Sequence, residues 1–309
     1  MPTIRVNGIE LCYEDAGPRD CPTILLVMGL AAQMTAWPPE MLEQLHNAGF
    51  RTIRFDNRDI GLSEKLGRRG TPNPLFQIAL SRFGIRGLAP YRLPDMARDG
   101  IRLLDALNVD RAHIVGASMG GMISQILCAN FPDRASSLTA IMTSTNKKGL
   151  PTASAKIAHL MLRPGPAPKT TEDIIERSMR MWKAIGTPDG GRSDEELRTR
   201  VAAAVARSYC PKGQRRQLSA IIETGDLRQW TRRIKAPTLV IHGDADPLVN
   251  IAGGRDVAAN IRGSRMAVIS GMAHDLPPRH LPTVTQMIIE HAHAAERSCV
   301  ESEAYSVSR

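Results

Sequence analysis

The sequence predicts an α/β fold: a mostly parallel sheet flanked by helices, with a helical cap inserted into it. Three observations predict it. Apolar runs of strand length alternate with amphipathic helical patterns through the first half of the chain. The rhythm stops over residues 144–231, which read as helical, and resumes in "PTLVIHG" (237–243) and "RMAVIS" (265–270). Finally, "HIVGASMGGMI" (113–123) runs from strand formers straight into three glycines around a serine, which demands a sharp change of direction. The expected organisation is a core of residues 1–143 plus 232–298, a cap of residues 144–231, and a polar, disordered tail of residues 299–309.

Each element has a local reason. "TIRV" and "IELCYE" flank Asn7-Gly8, a hairpin signal. "TILLVM" (23–28) is a continuous apolar run, as in a strand buried on both faces. A helix is expected from Pro38-Pro39 to about Ala48, stopped by Gly49. "RTIRF" (51–55) is the next strand. Met96, Ile101, Leu104 and Leu107 make the apolar stripe of a helix over Leu93–Leu107. "AHIV" (112–115), a helix over 119–130 and the strand "SLTAIM" (137–142) follow. In the cap, Thr170 with Asp173 and Ser193 with Glu196 have capping-box spacing. A helix over Leu281–Arg297 closes the fold.

Composition narrows the function. The 309 residues are 42% hydrophobic and 23% charged, ordinary for a globular protein. No apolar run approaches the ~20 residues that span a bilayer. The N-terminus lacks a basic segment followed by an apolar core, so no export signal is expected there. Five scattered cysteines without a CxxC pair suit reduced thiols in the cytoplasm, with neither disulfide nor metal. The net charge is +9, and residues 151–235 carry 17 Lys+Arg against 9 Asp+Glu. With aromatics at only 4%, a stacking platform for single strands is not expected, and the basic cap reads as a solvated face.

The chemistry centres on Gly116-Ala117-Ser118-Met119-Gly120, a G-x-S-x-G between a strand and a helix. Such a turn strains the serine backbone and holds Oγ clear of the chain, with a helix N-terminus at Met119 to favour an anion beside it. Serine needs a base, and the base needs an orienting acid, in the chain order Ser, Asp or Glu, His. "HGDADPLV" (242–249) offers Asp244 and Asp246; Asp246 is preferred, because Asp244 stands at the start of the turn while Asp246 precedes Pro247 and the next helix. "SGMAHDLP" (270–277) offers His274 as the base. Both stretches follow strand C-termini, where open α/β sheets place their sites. In "VMGLAAQMTAW" (27–37), Gly29 allows close backbone approach and Leu30 N–H is the candidate second oxyanion donor.

Other residues receive supporting roles. Asp56, Arg58 and Asp59 in "FDNRDIGLS" (55–63) are read as scaffold for the site loops, and His113, His291 and His293 as structural. Met28, Met34, Met119 and Met272 flank the catalytic loops, and Met161, Met179, Met181 and Trp182 lie in the cap. Methionine suits a large, irregular apolar ligand but is equally a routine core filler. With Gly29, the residues Met28, Met34, Met179, Trp182 and Met272 are the candidate substrate contacts.

"LLVMGLAAQMTAWP", "IRFDNRDIGLS", "VGASMGGMISQ", "TLVIHGDADPLV" and "GMAHDLP" together resemble the α/β-hydrolase superfamily with a helical cap. Within it they are similar to the branch containing aclacinomycin methylesterase and the serine-dependent macrolide esterases. Met28-Gly29 stands where the superfamily usually has His-Gly, a departure typical of that branch. The resemblance implies Ser118 as nucleophile, Asp246 as acid, His274 as base, and Leu30 and Met119 as oxyanion donors. It further implies carboxylic-ester hydrolysis without cofactor or metal, on a bulky polyketide ester or a macrolactone, with macrolide ring opening and antibiotic inactivation as the most specific case. The expected partner is a small-molecule ester, without specific nucleic acid or membrane. The same triad also serves C–C bond hydrolases, thioesterases, perhydrolases and slow-turnover receptors.

Overall fold

In the computed structural model, residues 1–67, 70–83, 85, 87–162 and 167–307 are described. Eight strands form one sheet in the order β1-β2-β4-β3-β5-β6-β7-β8. They are β1 (Thr3–Val6), β2 (Ile9–Ala16), β3 (Thr23–Val27), β4 (Arg51–Phe55), β5 (Ala112–Ala117), β6 (Ala135–Ile141), β7 (Thr238–Gly243) and β8 (Arg265–Ile269). β1 pairs antiparallel with β2, and β2 with β4; every later pairing is parallel. The β1–β2 hairpin closes through Asn7 and Gly8, both at positive φ (50° and 79°), the twist a two-residue hairpin requires.

Helices α1 (Pro39–Asn47), α2 (Pro74–Arg82), α3 (Leu93–Ala106) and α4 (Met119–Asn130) precede β6. The central strands are buried along their whole length, with an apolar cluster on each face of the sheet. α3 and α4 pack on one face, through Leu104 and Leu127; α1 and the last helix, α11 (Leu281–Val307), cover the other, through Leu45 and Val284. α11 continues past Arg297 into the segment expected to be disordered. Residues 298–307 hold no Gly or Pro that would stop a helix, and Ala and Glu favour it. Residues 308–309 lie outside the described residues.

Between β6 and β7 come α5 (Ala155–Leu162), α6 (Thr171–Ile185), α7 (Asp194–Arg207), α8 (Pro211–Thr224) and the single turn α9 (Arg228–Thr231); α10 (Ile251–Ala259) follows β7. Both capping boxes form: Asp173 N–H donates to Thr170 Oγ1 (3.1 Å) and Glu196 N–H to Ser193 Oγ (3.1 Å). α6 and α7 share a small apolar cluster of Ile175, Met179 and Val201. α8 behaves differently: Ala220 joins the main core, and fully buried Arg216 pairs with Asp59 (2.5 Å). α2, which no periodic pattern in the sequence announced, packs on α8; Gln77 Nε2 donates to Ser219 O at 3.1 Å. No described helix is long and apolar enough to cross a membrane.

Candidate active site

β5 ends in the turn that presents Ser118. Its φ of 56° and ψ of −120° lie where a non-glycine residue is strained, so the fold forces the conformation. A Cβ on Gly120 would lie 1.9 Å from the carbonyl oxygen of Val27, and one on Gly116 only 2.3 Å from Ser124 Oγ. Side chains at either position would push α4 away from β3 and β5. The elbow is pinned by Ser118 N–H donating to Ile141 O (2.9 Å) and by Thr143 Oγ1 donating to Ser118 O (2.7 Å).

His274, on the loop after β8, joins the serine to the acid. Its Nε2 lies 3.0 Å from Ser118 Oγ and its Nδ1 lies 2.7 Å from Asp246 Oδ2. Asp246, on the loop after β7, is buried. Its Oδ1 accepts the backbone N–H groups of Leu248 (2.9 Å) and Val249 (2.8 Å). Burial disfavours its charge, but the His242 imidazole beside it and the hydrogen bonds from His274 and Val249 N–H outweigh that and hold the carboxyl well below the usual carboxylate range. An ionised carboxylate only accepts, so Nδ1 of His274 carries a proton toward Asp246, the tautomer that leaves Nε2 free to accept from Ser118 Oγ–H. Asp244 stands elsewhere, accepting Gly271 N–H at 2.7 Å.

The loop after β3 reaches over the elbow. A Cβ on Gly29 would lie 3.1 Å from Ser118 Cβ and 3.6 Å from its Oγ, so the Gly29 backbone runs beside Ser118. The "FDNRDIGLS" segment holds this loop: Asn57 Nδ2 donates to Met28 O (2.8 Å), and Met34 N–H donates to Asp56 Oδ1 (2.8 Å). Arg58 pairs with Asp99 (2.6 Å), and Asp59 accepts from Tyr91 Oη (2.8 Å) as well as Arg216. Ala31, at a φ of 63°, donates its N–H to Gln217 Oε1 of α8 (3.0 Å), and Gln217 Nε2 donates to Arg58 O (2.9 Å).

The methionines divide. Met34 and Met272 have no exposure and Met28 very little; Met28 and Met272 pack in the core on the α1–α11 face. Met119, at the start of α4, is buried in the core on the other face. Met179 belongs to the α6–α7 cluster, with Trp182 packed against it. The Met161 side chain lies outside the described residues. His113 bonds Ser137 Oγ within the sheet (2.9 Å), and His291 faces Leu138 O (3.2 Å) from α11. Two features escaped the sequence reading. His242 stands beside the acid, its Nε2 donating to Val249 O (2.8 Å) and lying 3.5 Å from Asp246 Oδ2. The C-terminal end of α6 is bonded directly to the His274 loop, with His274 N–H donating to Ile185 O (2.9 Å). Among the described residues, no group of His, Cys, Asp and Glu is placed to hold a metal.

A strained serine on a strand-to-helix turn, bonded to a histidine that is bonded to a buried aspartate, defines a class of hydrolase sites. Residues 22–182 match the α/β hydrolase fold, and the chain belongs to that family. Rhodomycin D methylesterase DauP of Streptomyces sp. (strain C5) is 28% identical over 317 residues, spanning 96% of this chain and 99% of its own. The 3-oxoadipate enol-lactonase 2 of Acinetobacter baylyi (strain ATCC 33305 / BD413 / ADP1) is 25% identical over 268 residues, 86% of this chain and 87% of its own. Among solved structures, the enol-lactonase from Burkholderia xenovorans LB400 superposes with a TM-score of 0.72 at 24% identity, covering 94% of this chain and 99% of that one, a likeness of fold.

Proposed function

We propose that the chain is a serine carboxylic ester hydrolase that acts through an acyl-enzyme on a bulky polyketide-type ester or macrolactone. The observation that carries this reading is the His274 bridge, 3.0 Å from Ser118 Oγ and 2.7 Å from Asp246. The full-length likeness to a rhodomycin D methylesterase supports the ester and polyketide parts of it. In the first step His274 Nε2 takes the hydroxyl proton as Ser118 Oγ attacks the ester carbonyl. The N–H groups of Leu30 and Met119 receive the developing oxyanion, each such donor being worth ~10²–10³ in rate. The alcohol leaves with the proton from His274. Water, deprotonated by the same imidazole, then releases the acid. With a lactone the alcohol stays tethered and the product is a hydroxy acid.

Free Cys12, Cys21, Cys128 and Cys210 suit the reduced cytoplasm in which such an enzyme would meet an antibiotic. The test is mass spectrometry on products from a short p-nitrophenyl ester, a polyketide methyl ester, a set of large-ring macrolides and a vinylogous diketone. Ring opening adds one water to a macrolide, and methyl-ester cleavage gives the acid and methanol; either outcome supports the reading, and ring opening makes the enzyme an antibiotic-inactivating one. Turnover of the diketone alone would replace it with C–C bond hydrolysis.

A further inference from the structure

The loop after α6 and the loop carrying His274 are joined by a chain of hydrogen bonds with a defined direction. Asp275, the residue after the base, accepts both the N–H (3.0 Å) and the hydroxyl (2.6 Å) of Thr187 on the single oxygen Oδ1. A carboxylate cannot donate, so Thr187 spends its proton on Asp275 and turns its lone pairs the other way. There Ala273 N–H, on the residue before the base, donates to Thr187 Oγ1 at 2.8 Å. His274 N–H donates to Ile185 O at 2.9 Å, and Arg279 N–H to Gly190 O at 3.0 Å. A Cβ on Gly190 would meet Pro277 Cβ at 2.7 Å, so the two loops touch. Residues 273, 274 and 275 are thus all held from the cap side, while toward the core the imidazole is bonded to Asp246 and Ser118.

We propose that Thr187 and Asp275 are positioning residues for the base, fastening the cap to the His274 loop so that Nε2 faces Ser118. The proposal rests on the serine-hydrolase reading above. A bond to an ionised acceptor polarises the hydroxyl and strengthens the bond it accepts, so the three groups act as a unit. Thr187 serves as donor and acceptor at once, which only a hydroxyl does in this space. Serine keeps both bonds and valine, of the same shape, loses both. Asparagine at 275 keeps an acceptor oxygen but loses the charge.

The experiment measures kcat and KM on a p-nitrophenyl ester for wild type, Thr187→Val, Thr187→Ser and Asp275→Asn. Each rate is divided by the fraction of sites that a fluorophosphonate labels at saturation, so that unfolded protein does not count. Thr187→Val is expected to lose about 10- to 100-fold in kcat per labelled site, the scale of a small misplacement of a reacting group, with KM within about twofold. Thr187→Ser restores the rate and Asp275→Asn falls between. Wild-type kcat per labelled site in Thr187→Val, with any loss confined to the labelled fraction, would overturn the proposal and leave the hydrolase reading intact. A wild type that neither labels nor turns over any ester would overturn that reading instead, and this one with it.

Discussion

Asp246 shows how one residue's surroundings decide its role. Two carboxylates lie two positions apart on the same turn, yet only Asp246 is buried, faces His274 and accepts two backbone N–H groups. In the proposed mechanism its charge would orient the imidazole and stabilise the imidazolium that forms during reaction. Asp246→Asn is expected to cut kcat by ~10⁴, because an amide can hold the histidine in the wrong tautomer. Asp244→Asn, at a side chain that accepts Gly271 N–H away from His274, should cost less than about tenfold, on the scale of one exposed hydrogen bond. Steady-state kinetics on both variants checks the ranking. Because its folded pKa is held below the unfolded value near ~4, Asp246 contributes stability that is present above that value and lost as acid protonates it.

At the scale of elements, the β5–α4 elbow is where sequence and structure meet most closely. Its glycines are dictated by contacts under 3 Å, and that need is visible in the bare pattern GASMGG. Gly120→Ala would drive a methyl group into the carbonyl of Val27. The expected result is a loss of more than about 3 kcal/mol in urea unfolding, or no soluble protein, since neither β3 nor α4 can yield. The strand ends carrying Asp246 and His274 were legible for a similar reason: apolar runs stop abruptly in Gly and Asp. Gln217, Thr187 and Asp275 were not. Their bonds join residues 86 to 186 positions apart and follow no period a single sequence displays. The methionines were ambiguous on principle, because hydrophobicity alone does not separate a core filler such as Met272 from a pocket wall.

Across the whole molecule, two of the ties between cap and core reach the loops that carry the candidate site. One is the α6 loop on the base. The other is α8, whose Arg216 pairs with Asp59 and whose Gln217 holds the strained Ala31 in the loop after β3. The alternation of strands foretold the sheet, but not that α8, read as cap, would bury Arg216, Gln217 and Ala220 against the core. Arg216→Met removes the partner of a fully buried carboxylate and is expected to destabilise the protein by about 3–5 kcal/mol. Urea unfolding measures that loss, and Asp59→Asn in the same background should recover part of it.

The central claim is that Ser118 forms the covalent intermediate. The most direct measurement is the intact mass of the protein, and of the peptide bearing Ser118, after reaction with a fluorophosphonate, for wild type and Ser118→Ala. The account predicts one adduct per chain, located on Ser118, absent from Ser118→Ala, together with a loss of ester turnover of about 10⁶ in a variant that remains folded. An adduct on another residue, or turnover that survives in Ser118→Ala, would contradict it.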